Sequence, residues 1–452
     1  MTAPADLRRT LGFTDLVMVT LGTVIGSGIF LVPGVVLRQT QGRVGLALSI
    51  WFIAGVLSLL GALTYAELGA MKPDAGGLYT YIRDAFGPLP AFLYGWASFF
   101  VISSGSVATL AVAFSGYLGQ IVPLSPVAAK SVSLLMIFVI AVVNVAGTRR
   151  SATMQNWTTG AKVCGLLALS VAMIALGRGE PTVAAAAQPS SMMSLLPGIG
   201  TAMIGVLWAY EGWQYVTFSA GETRDPQRVF PRAIAVATLI LVILYVLTNI
   251  GYLAALGPMA ASRSDHIAAD AMHAVFGPTS GSLLSALVLV SIFSAANGLM
   301  LTTPRMYFAM ARDGVFFERL GSVDVRFGTP AFAIVALAVW SALLAVSGTF
   351  EQLLTYVVFA GWIFYGLGAT AVFVYRRRQP DAIRPFRTPG YPVTPVLFVV
   401  SAGMLVLNTL IAQPVRGAVG LGAVLLGTPA FFLWRAKSRR TLVGFPPAPM
   451  ER

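Results

Sequence analysis

Two apolar stretches carry residues whose types and spacing suit the capture of a small charged solute. Gly22 to Phe30 reads GTVIGSGIF inside an apolar run from Phe13 to Leu37, and Trp208 to Trp213 reads WAYEGW inside the run from Ile199 to Ala220. Glycine costs about 1 kcal/mol relative to alanine within a helix, and Gly22, Gly26 and Gly28 crowd the middle of the first run. A helix that unwinds at Ile25–Gly28 frees backbone N–H groups and starts a second half-helix, whose N-terminus attracts anions. The Ser27 hydroxyl adds a donor, so this break suits a carboxylate. Carbonyls freed near Trp208, Ala209 and Tyr210 would accept hydrogen bonds from an ammonium group. Together the two ends describe a zwitterionic α-amino acid, with Trp208 as a lid. The competing readings are a small-xxx-small packing face at Gly22 and Gly26 and an interfacial belt position for Trp208.

Two charges lie deep inside apolar runs. Glu211 sits near mid-span, where an acid costs at least about 2.5 kcal/mol and marks function by default. A protonated hydrogen-bonding role, a proton relay, a partner for a cationic side chain and a purely structural role all remain open for it. Lys162 lies about ten residues into the fifth run, too deep to snorkel easily. Carbonyls of the first break, with Ser294 and Asn297 of the eighth run, are expected around it; the alternative is a shorter span with Lys162 near its cytoplasmic end. The segment 221–234, GETRDPQRVFPRAI, alternates charges after the sixth run and is either a solvated loop or a gating salt bridge. Glu67 is expected to pair locally with a cytoplasmic base. Cys164 reads as a small buried hydrophobe, and His266 and His273 lack the companions of a zinc site.

The elements that must position these groups are transmembrane helices. Hydrophobic residues make up 57% of the 452 and charged residues 10%, against about 25% charged in soluble domains. Mean hydropathy is +0.79. Runs of about 20 apolar residues span a bilayer, and twelve are expected near 13–37, 44–70, 88–120, 127–147, 154–177, 199–220, 233–257, 281–310, 330–347, 352–375, 391–411 and 416–434. With the N-terminus inside, 23 of the 30 basic residues fall on the cytoplasmic side, six outside and Lys162 within a span. That bias places both termini in the cytoplasm and explains the net charge of +13 without nucleic acid. The first run is span-length, so no cleaved signal peptide is expected. Residues 12–177 and 199–376 each hold five runs headed by a broken one; an odd number makes the halves inverted repeats, with 391–434 as an addition to one transport domain. The stretch from Arg178 to Pro197 reads as an exposed loop.

GTVIGSGIF, YAELGAMKPDAGGLYTYI and WAYEGW followed by GETRDPQRVFPRAI resemble, in order and across nearly the whole chain, signatures of the amino acid–polyamine–organocation superfamily, in its L-type amino acid transporter branch. The resemblance implies an all-α leucine-transporter-type fold, sodium-independent transport and often obligatory exchange. It implies that Ile25, Ser27 and Gly28 hold the substrate carboxylate and that the backbone carbonyls of Trp208, Ala209 and Glu211 hold its amine. Lys162 aligns with the lysine that replaces sodium in such transporters, and Trp208 with the outer gate. Ser106, Asn297 and Trp362 fall in regions that line the pocket or its coupling network.

Relatives that favour large neutral substrates often carry glycine where this chain has Glu211, and an acid occurs in some that accept cations. The expected function is sodium-independent exchange of neutral L-amino acids across a plasma (inner) membrane. Proton-coupled uptake and exchange of cationic amino acids or polyamines are the alternatives. No catalytic constellation suggests an enzyme, and no cofactor or metal is expected. The 123–130 loop lacks the cysteine by which animal relatives bind a heavy subunit, so the chain is expected to act as a monomer.

Overall fold

In lipid every backbone polar group must be satisfied internally, which leaves helices as the economical spanning element for a single chain of this composition. The computed structural model describes residues 7–180, 192–277, 280–347, 350–412 and 414–443. Within them the chain runs through α1 (Phe13–Val24), α2 (Gly28–Gln39), α3 (Val44–Met71), α4 (Leu78–Phe86), α5 (Pro88–Ala97), α6 (Ser103–Gly119), α7 (Pro126–Val145), α8 (Thr148–Leu176) and α9 (Met192–Ala209). It continues as α10 (Pro226–Arg263), α11 (Ile267–Phe276), α12 (Ser280–Thr302), α13 (Pro304–Arg312), α14 (Ala331–Ser347), α15 (Phe350–Arg378), α16 (Val393–Ala412), α17 (Pro414–Leu425) and α18 (Gly427–Val443). Among the described residues, β pairing is confined to one isolated bridge between Leu11 and Thr223.

All twelve expected runs contain helix. Among the described residues nine spans are long and apolar enough to cross a membrane, and α1 with α2, bent by 47°, make a tenth. The other two expected runs fall short for different reasons. The ninth is α14, only 17 residues long. The sixth is interrupted: α9 stops at Ala209, and Trp213–Glu222 continues as a 3-10 helix rather than an α-helix. The Arg178–Pro197 loop needs correction as well, because α9 begins at Met192; residues 181–191 lie outside the described set.

Both breaks occur where the sequence weakens the helix, and glycine lets them touch. Ile25 leaves helical geometry at φ −72°, ψ 88°, and Gly212 adopts φ +131°, a conformation costly for other residues. A Cβ on Gly212 would lie 2.8 Å from the backbone of Thr23, and a Cβ on Gly28 would lie 2.8 Å from Cβ of Ala209. Around the breaks, α1 packs on α8, α10 and α12, while α2 packs on α9 and α10.

Cys164 is exposed on α8, not buried. The outer face of α8 carries Leu167, Val171 and Ile174 as exposed residues too. A membrane helix directs apolar side chains outward to lipid, so apolar surroundings in sequence do not imply burial.

Candidate substrate site

A cavity of about 70 Å³ lies where the two breaks meet. One water needs about 10–15 Å³, so the space suits a small solute. Thr23, Val24, Gly26, Ser27 and Gly28 line one side, and Trp208, Ala209, Glu211 and Tyr215 another; Ser106, Thr109 and Leu110 of α6, Ala295 and Leu299 of α12 and Val357 of α15 close it.

On the first break, Gly26 N–H donates to the Val24 carbonyl at 2.8 Å, and Phe30 N–H donates to that of Ser27 at 3.1 Å. Ser27 and Gly28, at the start of α2, have no acceptor for their N–H groups among the described residues. These donors and the positive end of the α2 dipole border the cavity, an arrangement that attracts an anion.

The carbonyls of this break point elsewhere. Lys162 lies at the middle of α8, fully buried, so it does not sit at the cytoplasmic end. Its ammonium donates to the carbonyls of Gly22 and Ile25, each at 2.6 Å, and more weakly to that of Ser291 at 3.4 Å. The Ser291 hydroxyl also donates to Ile25 at 2.9 Å. Three N–H donors thus meet three carbonyls, and the cation caps the negative end of α1. The backbone of Ile25 is thereby consumed, and Ile25 does not line the cavity.

The second break presents a carboxyl group. Tyr365 of α15 donates its hydroxyl to Oε1 of Glu211 at 2.9 Å. Oε2 of Glu211 and the hydroxyl of neighbouring Tyr215 are buried without a hydrogen-bond partner. A buried polar atom left unmatched costs about 1–3 kcal/mol, and both residues border the cavity, so a ligand with a donor for Oε2 and an acceptor for the phenol would relieve them. Trp208 is part of the wall and half-buried, touching the position a Gly28 side chain would take. Tyr210 turns away, against Trp51 and Tyr245 of α10.

Of the remaining expected residues, Ser106 lines the cavity while donating to the Ile102 carbonyl of its own helix at 2.7 Å. Trp362 packs against Tyr365 and Phe398 behind the wall. Ser294 and Asn297 do not reach Lys162. Ser294 pairs with Thr159 at 3.0 Å, and Asn297 with Gln155 and Asn144, each at 2.8 Å. They belong to a polar ladder joining α12 to α7 and α8, whose rungs are set by helix packing, about one turn or more from Ser291. Thr23, Thr109, Tyr215 and Tyr365 are the polar residues at the site that sequence reasoning did not single out. Tyr215 stands four residues after Glu211, which is the only signal it left.

The turn after the sixth run is not a solvated loop at Glu222. Arg305 and Glu222 form a fully buried pair, and Thr148 donates to Oε1 of Glu222 at 2.8 Å. Beside it, the N–H groups of Thr10 and Leu11 both donate to the Glu222 carbonyl, and Arg224 N–H returns to that of Leu11. Asp15 accepts from Arg149 at 2.8 Å and from Asn156 at 2.7 Å. These charge pairs tie the start of α1 and the segment before α10 to α8 and α13. Glu67 pairs bidentately with Arg376 at 2.9 and 2.7 Å and accepts from Thr388 N–H at 2.6 Å. Its partner is thus remote in sequence, not local.

A family model described as amino acid permease matches residues 11–424 of this chain. The chain belongs to the amino acid permease family. The permease is similar to the human cystine/glutamate transporter, 32% identical over 444 residues that cover 96% of this chain and 87% of that protein. It is similar to the human b(0,+)-type amino acid transporter 1, at 32% over 414 residues, 90% and 84% of the two chains. The serine/threonine exchanger SteT of Bacillus subtilis (strain 168) is 29% identical over 435 residues, 95% of this chain and 98% of that one. The permease is therefore a multi-pass membrane transporter of a small molecule, and not an enzyme. Its relatives are amino acid transporters, and at least one is by name an exchanger.

Proposed function

We propose that the permease is a sodium-independent exchanger of neutral L-amino acids, working by alternating access in a plasma (inner) membrane with both termini cytoplasmic. One observation carries the reading: a solute-sized cavity joins the two breaks, with unpaired N–H groups of Ser27 and Gly28 beside it and the carbonyl-bearing end of α9 opposite. The substrate carboxylate meets the first and its ammonium the carbonyls of Trp208 and Ala209. The ammonium of Lys162 already occupies the carbonyls of Gly22 and Ile25, and this supports sodium independence, since a resident cation leaves no vacancy for another. The buried Glu222–Arg305 pair is the cytoplasmic gate. Residues 12–177 and 199–376 act as the two inverted repeats, each headed by a break, with 391–434 added. The permease works without a disulfide-linked subunit, because its single cysteine is on α8, away from the loop after α6, and so as a monomer.

A second reading is favoured by the unmatched Oε2 of Glu211: a cationic amino acid or polyamine would supply the donor, or a proton would accompany uptake. Proteoliposomes preloaded with unlabelled neutral amino acid, in choline rather than sodium buffer, test both. Preloading should accelerate uptake of labelled substrate far above that of empty vesicles. Equal rates would remove exchange, a requirement for sodium would remove the role of Lys162, and uptake into empty vesicles driven by an inward proton gradient would favour the second reading.

A further inference from the structure

Polar bonds hold α1 on α8 along one face of each helix. Asp15 meets Arg149 and Asn156, the Met18 carbonyl meets Thr159, and the carbonyls of Gly22 and Ile25 meet Lys162. Water can take over the first set if the helices part, since the Arg149 side chain is 58% exposed. Thr159 has no such recourse, because it is fully buried. A hydroxyl carries one proton and two lone pairs. That of Thr159 lies 3.1 Å from the Met18 carbonyl and 3.0 Å from the hydroxyl of Ser294 on α12, and it accepts from Gln155 Nε2 at 3.2 Å. Ser294 is fully buried too, and among the described residues Thr159 is the one acceptor within reach of its proton. With α1 in place, Ser294 therefore donates to Thr159 and Thr159 donates to Met18.

We infer that Ser294 is a spare acceptor that lets α1 leave α8. When the Met18 carbonyl departs, the Thr159 hydroxyl turns to donate to Ser294, and the Ser294 hydroxyl turns back onto a carbonyl of its own helix. This rests on the alternating-access reading above. Two O–H rotations complete the exchange, and each proton stays on its own oxygen. A helical serine reaches the carbonyl three or four residues earlier, as Ser170 reaches Leu166 at 2.7 Å. The Met18 carbonyl keeps the N–H of Gly22 within α1, so neither side of the seam is left with an unpaired buried group. α8 and α12 stay together through Gln155, which accepts from Asn297 at 2.8 Å and donates to Ser294 at 3.3 Å. The other partners of α1 lie across the seam: Thr23 reaches Gly212, and the Val24 carbonyl accepts from Tyr245 of α10. Lys162 grips α1 at the break, one to two turns beyond Met18, so α1 parts from α8 at Met18 while anchored there.

The test measures exchange per folded transporter in Ser294→Ala, in Thr159→Val and in the two combined. Ser294→Ala leaves Thr159 bonded to Met18 while α1 is docked and strands its hydroxyl when α1 departs. Maximal rate should fall about tenfold, the scale of a buried hydroxyl left unpaired, with KM not raised. Thr159→Val keeps nearly the same shape and has no proton to rehouse, so its maximal rate should equal or exceed that of wild type. The double variant should recover most of the rate lost in Ser294→Ala. It leaves Gln155 Nε2 without these acceptors whether α1 is docked or not, which lowers stability without favouring either arrangement. Thr159→Ser combined with Ser294→Ala keeps the hydroxyl and should stay slow. A merely structural role for the pair makes the double variant slower than either single one. That result, an unchanged rate in Ser294→Ala, or a raised KM at unchanged maximal rate would overturn the inference while leaving exchange intact. A wild-type protein that moves no amino acid would overturn both. If Ser294→Ala does not reach the membrane, Thr159→Val alone decides: a maximal rate at or above wild type supports the inference, and a loss overturns it.

Discussion

Thr23 lies 3.0 Å through its hydroxyl from the carbonyl oxygen of Gly212, 189 positions away, and shares that proton with the Val19 and Thr20 carbonyls of its own helix at 2.9 and 3.0 Å. Thr23 belongs to the last turn of α1 and Gly212 to the gap after α9, so the bond ties one break to the other. Gly212 can take part because its positive φ turns the carbonyl toward α1 and because no side chain stands in the way.

Gly28 and Gly26 should respond oppositely to alanine. At Gly28 the new Cβ would lie 2.8 Å from Cβ and 2.9 Å from Cα of Ala209. Neither atom can yield without the backbone moving, so Gly28→Ala should cost about 1–3 kcal/mol of stability and weaken substrate affinity. At Gly26 the nearest atoms are 3.9 and 4.0 Å away, and the position lines the cavity. Gly26→Ala should fold normally and shift preference toward smaller substrates. Thermal unfolding in detergent and a competition series by side-chain size check both; equal stability of the two variants would refute the packing account.

Lys162→Ala should impair turnover more than folding. Removal of the ammonium strands the Gly22 carbonyl, at about 1–3 kcal/mol, while Ile25 keeps its bond from Ser291. Exchange in proteoliposomes should fall at least tenfold with protein still reaching the membrane. Unchanged kinetics would return Lys162 to a purely structural role.

Glu211→Gln keeps an acceptor for the Tyr365 hydroxyl and removes the charge. If Glu211 acts through its charge, the variant should lose competition by lysine or polyamines, or lose the pH dependence of uptake, while neutral substrates are retained. An unchanged profile in both respects would leave only backbone contacts at that position.

The buried Glu222–Arg305 pair gives the largest stability effect. Glu222→Gln leaves the Arg305 guanidinium buried without its counter-charge, and breaking such a pair costs about 3–5 kcal/mol. The paired variant Glu222→Gln/Arg305→Met should recover part of that stability, yet open the cytoplasmic end, read as faster cytoplasmic-side labelling of a cysteine placed at Ala295 in the cavity, in a Cys164→Ser background. A double variant no more stable than the single one, or as slowly labelled as wild type, would argue against a gate.

Helix positions were legible in the chain because lipid imposes a simple rule on apolar runs, and all twelve expected runs contain helix. The first break was legible too, through Gly26 and Gly28. Interior pairings were not. Ser294 and Asn297 look like natural company for Lys162, yet they face Thr159 and Gln155, since rotation about α12 decides which turn meets the lysine. Glu67 found Arg376 from another helix, and Cys164 turned to lipid, because hydropathy does not separate a core-facing side from a lipid-facing one.

Composition and glycine spacing alone determined a bundle of membrane helices with two weakened spans, since the cost of unpaired backbone in lipid and the poor helix propensity of glycine are local properties. Tertiary packing decided how the freed groups are used. Lys162, Ser291 and Tyr245 claim most of the carbonyls at the breaks, while the N–H groups of Ser27 and Gly28 stay open beside the cavity. Those assignments depend on how α8, α10 and α12 are rotated against α1, a balance of long-range contacts that no stretch of sequence contains.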